Sequence, residues 1–262
     1  MVNQDLSQPP PESTGQTSGA DHHSAKPAPQ PNMIAFLLPL IILLFLSAMS
    51  PNFQTESPAP NAAGNYLWLI IVEVVVLTGV LACFWKVYLS HFPMTMDYRG
   101  IVVGALGFIL WIGICSLGLE RTALTALGLP GWLPERSGFD PYLYFSQNIQ
   151  FTAFILFRFT LLCLIVPICE ELFLRGWLVR YVENPKWETV RLTSIGWRGC
   201  LAVIVYAAAT HPAEAIAAVA WFSLVSWLMI KSGKFWNCVL AHAVTNLMLG
   251  VYVMWSHEWF YW

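Results

Sequence analysis

From residue 33 onward, apolar residues come in long uninterrupted runs instead of alternating with polar ones. A helix rises about 1.5 Å per residue and a bilayer core is about 30 Å thick, so about 20 apolar residues suffice for one crossing. The runs predict seven spans, at about 33–49, 66–85, 100–119, 153–180, 198–211, 213–230 and 236–255. An eighth arises if the fourth, longer than a crossing needs, is split; the fifth is shorter than usual. Pro51, Pro58 and Pro60 punctuate the first loop. Pro130, Pro134 and Pro141 with Gly128, Gly131 and Gly138 mark a long loop near 120–148. The expected fold class is all-α, a polytopic transmembrane helical bundle without internal repeats.

Residues 1–32 break this pattern. They are rich in Pro, Ser, Gln and Gly and hold almost no large apolar side chains. Such a segment cannot bury enough surface to offset its ordering entropy, so a disordered tail is expected at 1–32 and a membrane domain at 33–262. The paired His22 and His23 read as solvated tail residues, and the tail lacks the basic start and apolar core of a signal peptide. Composition agrees with a membrane protein: 57% of the 262 residues are hydrophobic and 11% charged, against roughly 25% charged in a soluble domain. With a net charge of −2 and no basic stripe, nucleic acid is not an expected partner. The six cysteines fall singly in or beside apolar runs and read as small buried hydrophobes.

Lys and Arg alternate by loop, and short loops that carry them stay in the cytoplasm. With the N-terminus inside, the inner segments hold Lys26, Lys86, Arg99, Arg180, Lys186, Arg191, Arg198, Lys231 and Lys234, and the outer loops only Arg121 and Arg136. A multi-pass protein of the cell's inner (cytoplasmic) membrane with a cytoplasmic N-terminus is expected. The aromatic ending, Trp255 to Trp262, then lies outside as an interfacial anchor.

Ionisable groups inside a membrane are expensive unless paired or hydrated, which makes each a functional candidate. The densest set is Glu170, Glu171 and Arg175. Glu171 and Arg175 stand four apart on one helix face in the favourable order for an ion pair, while Glu170 points about 100° away and is left free to act as a base. His211 precedes Pro212, which suits the first turn of a new helix, so a helix break is expected there, with Glu214 capping the second helix. His242 and Asn246, again four apart, aim at one neighbour or cavity. Counting from the basic loops places Glu170, His211, His242 and Asn246 about 12 to 20 Å below the cytoplasmic surface. One layer of polar groups predicts one aqueous cavity open to the cytoplasm, with the aromatic C-terminus and the break at His211 obstructing the outer route. Glu73 and Arg158 are assigned structural roles, the latter snorkelling near a span end, and Asp97 beside Arg99 reads as a solvated loop.

A carboxylate, two imidazoles and a carboxamide can hydrolyse an amide without a protein nucleophile. Glu170 would deprotonate water, His211 would orient it, and His242 and Asn246 would donate to the oxyanion. Alternatively Glu170, His211 and His242 would hold Zn²⁺ with one position left for water; HExxH is absent, so metal-free catalysis ranks first.

The segment EELFLR at 170–175, His211, and His242 with Asn246 resemble, in order, the EExxxR motif, the second-motif histidine and the HxxxN motif of the CPBP (ABI) family of CAAX prenyl endopeptidase-like intramembrane proteases. The resemblance covers about 150–250. It implies glutamate-based or metal-assisted proteolysis of a membrane-associated protein or peptide near its end. Glu170, His211, His242 and Asn246 then fall on catalytic positions and Glu171 and Arg175 on supporting ones. Where the family often has Phe four residues before its histidine, this chain has Ala207, with Tyr206 beside it, which puts pocket shape in doubt. The Trp-rich layout is similar to the branch found beside exosortase sorting systems. The competing class is a non-enzymatic membrane protein, either a proton-coupled transporter or an inactive sorting-system scaffold. A transporter usually shows paired broken helices in two related halves, and here only one break is evident.

Overall fold

The computed structural model describes residues 33–51, 61–129, 131, 138–145 and 148–261. The tail at 1–32, with its expected disorder and its His22 and His23, and the loop residues Pro58, Pro60, Pro130, Pro134 and Arg136 lie outside them. All seven expected apolar runs are helical, and no strand occurs among the described residues. We number the helices α1 (Met33–Ser47), α2 (Ala62–His91), α3 (Tyr98–Ser116), α4 (Leu119–Ala126), α5 (Pro141–Tyr144), α6 (Ile149–Glu183), α7 (Trp197–Thr210), α8 (Ala215–Ser232) and α9 (Phe235–Ser256). Five helical stretches are long and apolar enough to cross a membrane, and α1 and α7 are shorter apolar helices. The protein is a helical membrane bundle. The short α4 and α5 occupy parts of the segment expected to be a loop.

The fourth run is not split. It forms a continuous helix, α6, with two π-helical stretches at Leu161–Ile165 and Leu172–Leu178. The first has a legible cause. Pro167 has no N–H, and the Val166 N–H bonds back to the Leu161 carbonyl, so the Leu162 carbonyl, five residues before Pro167, loses its helical donor. Asn246 of α9 supplies the replacement, donating from Nδ2 at 2.8 Å.

α9 packs between α3, α6 and α8, and glycines let α3 come close to both α9 and α8. A Cβ on Gly104 would sit 2.6 Å from the Ala241 carbonyl oxygen, and one on Gly107 2.6 Å from Trp221 Nε1. Small residues let membrane helices approach to backbone contact, where van der Waals packing is the main attraction. Thr245 adds a hydrogen bond to the Gly104 carbonyl at 2.8 Å. Gly104→Ala should therefore force α3 from α9 and destabilise the fold by about 1–3 kcal/mol, the usual range for overpacking. The readout is a lower unfolding temperature in detergent; wild-type stability would show that the close approach is dispensable.

The ends of the bundle differ. Loops 86–99, 180–199 and 231–237 gather at one end and are tied by polar contacts. Glu183 accepts from the Gly196 and Gly199 N–H groups at 2.8 Å each. Arg180 donates to the Gly176, Val190 and Glu188 carbonyls and lies over the Phe92 and Trp187 rings. Asp97, expected as a plain solvated loop residue, is a clamp: it caps α3 through the Arg99 N–H and pairs with Lys234 at 2.9 Å and Asn237 at 3.0 Å. The Lys234 ammonium, hydrogen-bonded to it, holds the Asp97 carboxyl below the usual carboxylate range. Arg158 lies in the first half of α6 within electrostatic reach of the buried Glu73, which also accepts from Ser47 at 3.1 Å.

Candidate functional site

Glu170 and Glu171 sit on α6 between its two π-helical stretches, and their side chains diverge as the helical phase requires. Glu171 is fully buried and accepts from Arg175 Nη1 at 2.6 Å. Arg175, also fully buried, donates from Nη2 to the Phe222 carbonyl at 2.9 Å and to Ser226 Oγ at 3.4 Å. The expected pair forms, and it ties α6 to α8 as well. Glu171 does more than was expected of it: its Oε1 lies 3.2 Å from His242 Nδ1. That bond turns the opposite ring nitrogen, Nε2, to within 3.8 Å of Glu170 Oε2.

His242 is also held by Trp221, whose ring meets it edge-on at 4.6 Å. The Trp221 indole N–H donates to Thr245 Oγ1 at 3.0 Å. Trp221 and Thr245 were invisible as site residues in the sequence, where they read as part of apolar runs. Tyr206 is a further addition. It is buried against Phe173 and Phe222, with its hydroxyl within electrostatic reach of Glu170. It stands beside Ala207, where the resemblance had put the pocket shape in doubt.

His211 ends α7 as its C-cap, with φ −130° and ψ 59°, and Pro212–Glu214 form a 3-10 turn before α8. The expected break is present. The cap on α8 is not made by Glu214, whose side chain makes no capping bond. Glu120 of α4 does this instead, its Oε1 accepting from the Ile216 N–H at 2.9 Å. A carboxylate is favourable at that helix N-terminus from whichever element it arrives. The His211 ring packs near Trp111 and Phe222, and its Nδ1 lies 2.9 Å from Thr210 Oγ1.

Glu170, His211, His242 and Asn246 line one cavity of about 440 Å³, within the ordinary size range for small-ligand pockets. Its walls include Glu214, Trp221 and Thr245. Among the described residues, no group of three His, Cys, Asp or Glu side chains is gathered that could hold a metal ion.

The cavity lies on the unexpected side of its polar floor. From His242 it runs along α9 through Asn246, Leu249 and Val253, and from Glu170 it runs back along α6 through Val166 to Leu162. Both directions lead away from the basic loops. Its far wall holds the exposed Pro212 and Phe260. Towards the basic loops the floor is closed by Arg175, Val225, Met229 and Cys238, each 0% exposed. A separate cavity at the basic end, between His91, Arg180 and Lys234, is lined by none of the four residues. The expectation of a cavity open towards the basic loops is thus overturned. Counting residues places the four side chains in one layer but gives no direction, which side-chain packing decides. The C-terminal Phe260 and Tyr261 do not block the opposite route; they form part of its wall.

No curated protein and no solved structure matches the chain. Residues 152–248 match the family described as Rce1-like, type II CAAX prenyl endopeptidase Rce1-like. The matched segment contains all the residues of the three motifs and most of the cavity wall, and it does not distinguish the exosortase-associated branch. Residues 152–248 are thus similar to the Rce1-like family of CAAX prenyl endopeptidases, in a chain whose described residues include five helices long and apolar enough to cross a membrane.

Proposed function

We propose that the protein is an intramembrane endopeptidase that hydrolyses a peptide bond near the end of a membrane-associated protein or peptide, without a metal, using Glu170 as general base. The supporting observation is that a carboxylate, an imidazole 3.8 Å from it, a second imidazole and a carboxamide line one cavity. Glu170 takes a proton from water as the resulting hydroxide attacks the scissile carbonyl, and returns it to the leaving amine, so a carboxylate and an amine are released.

The hydrogen bonds support a separate role for each imidazole. Thr210 Oγ1 donates to the Tyr206 carbonyl at 2.8 Å, which leaves its lone pair for the His211 Nδ1–H. His211 Nε2 is then the unprotonated nitrogen, suited to orienting water or sharing its proton. His242 donates from Nδ1 to Glu171, as a carboxylate-oriented histidine does. In its protonated form, Nε2 donates to the oxyanion that develops beside Glu170. Asn246 spends one N–H on the Leu162 carbonyl; its second N–H completes the oxyanion site.

The experiment offers detergent extracts of wild type and of Glu170→Ala a library of peptides representing the tails of membrane proteins, with and without a metal chelator. Cleavage by wild type, unchanged by the chelator and absent in the variant, is expected. Wild-type cleavage that the chelator abolishes would overturn the metal-free assignment, and equal cleavage by both extracts would overturn the role of Glu170.

A further inference from the structure

We infer that substrate reaches the site from the non-cytoplasmic side of the membrane, so that the cleaved segment is an extracytoplasmic, membrane-proximal stretch of its protein. The inference rests on the proteolytic reading above and adds the compartment in which the scissile bond must lie.

Three observations carry it. The Lys and Arg residues of 86–99, 180–198 and 231–234 lie at one end of the bundle, while Arg121 is the basic residue of the described loops at the other. Short loops with this bias remain cytoplasmic. The cavity opens at the other end. Its rim is formed by the turn at Pro212 and Ala213 and by the C-terminal turn at Phe260 and Tyr261, and its floor is the plugged layer of Arg175, Val225, Met229 and Cys238. Water or substrate from the basic side would have to displace the doubly bonded Arg175 guanidinium.

The third observation is helix length. α7 has 14 residues and spans about 21 Å. Its terminal His211 lies level with Trp111, thirteen residues into α3 and about 20 Å along it. The turn therefore falls short of a full crossing. Irregular backbone is tolerated at such depth where it lines a water-filled cavity. An extended segment on the non-cytoplasmic surface can descend past Pro212 to place its amide beside Glu170. An intact spanning helix has its amides engaged and cannot do so.

The test is cysteine accessibility, which does not require a known substrate. Cys83, Cys115, Cys163 and Cys200 are replaced, and the buried Cys169 and Cys238 are kept so that the core remains filled. Single cysteines are then placed at Ala213 on the rim, at Leu249 deeper in the cavity and at the exposed Ser194 of the basic end. Each is treated with a membrane-impermeant maleimide in right-side-out and in inverted vesicles. Ala213→Cys and Leu249→Cys should label only from the outside and Ser194→Cys only from the inside. Cavity labelling from the cytoplasmic side, from both sides or from neither overturns the proposal, as does Ser194→Cys labelling from the outside. If no peptide is ever cleaved but the labelling holds, the proteolytic reading fails while the side of access stands.

Discussion

Replacing Glu170 with Gln should slow peptide cleavage by about 10²- to 10⁴-fold, the usual contribution of a positioned general base, and leave the unfolding temperature in detergent unchanged. Gln keeps the size and hydrogen-bonding reach of the side chain but cannot take the proton from water. Stability is spared because Glu170 is not part of the buried ion pair: its side chain is 14% exposed in the cavity, and no guanidinium loses a partner when it is neutralised. Initial rates on the best peptide from the library, with thermal unfolding of the same preparation, are the measurements. A Glu170→Gln protein with wild-type rate would remove Glu170 from the chemistry. Loss of rate together with a large fall in unfolding temperature would make it a folding residue.

Arg175→Ala should act the other way, costing about 3–5 kcal/mol of stability, as breaking a buried ion pair from one side typically does. It strips Glu171 of its guanidinium and leaves the Phe222 carbonyl without that donor, all in a fully buried layer. The double variant Glu171→Leu with Arg175→Met should recover much of the stability, because replacing both charges by apolar groups of similar volume is often neutral. It should not recover activity, since Glu171 also orients His242. Yield and unfolding temperature of the three proteins decide this. An Arg175→Ala protein as stable as wild type would show that the pair does not hold the fold.

What the sequence revealed and what it hid follow from the range of the interactions. Spans were legible because twenty consecutive apolar residues have few other homes, and the polar layer because helical rise converts residue number into depth. The pairs Glu171 with Arg175 and His242 with Asn246 were legible from their spacing, since i and i+4 share a face. The Glu171–His242 contact joins residues 71 apart, and Glu120 reaches Ile216 across 96; no local pattern announces either. Pro167 announces a disturbed helix, but that Asn246 repairs it depends on how α9 lies against α6. The direction of the cavity was hidden for the same reason: it is set by the Arg175 layer at its floor and by Phe260 and Tyr261 at its rim, far apart in sequence.

The brevity of α7 also makes the surrounding lipid a participant. A 14-residue helix falls about 9 Å short of the ~30 Å hydrocarbon thickness of an ordinary membrane. Lipid beside the α7–α8 hairpin must thin to meet its polar tip, at a cost of fractions of a kcal/mol for each ångström of mismatch. A thin bilayer removes that cost and brings the headgroup region down to the rim, whereas a thick one raises it and buries the rim in acyl chains. On the proposed function, hydrocarbon thickness would set how readily a segment at the surface descends to Glu170, and would tie the rate of cleavage to the membrane that holds the protein.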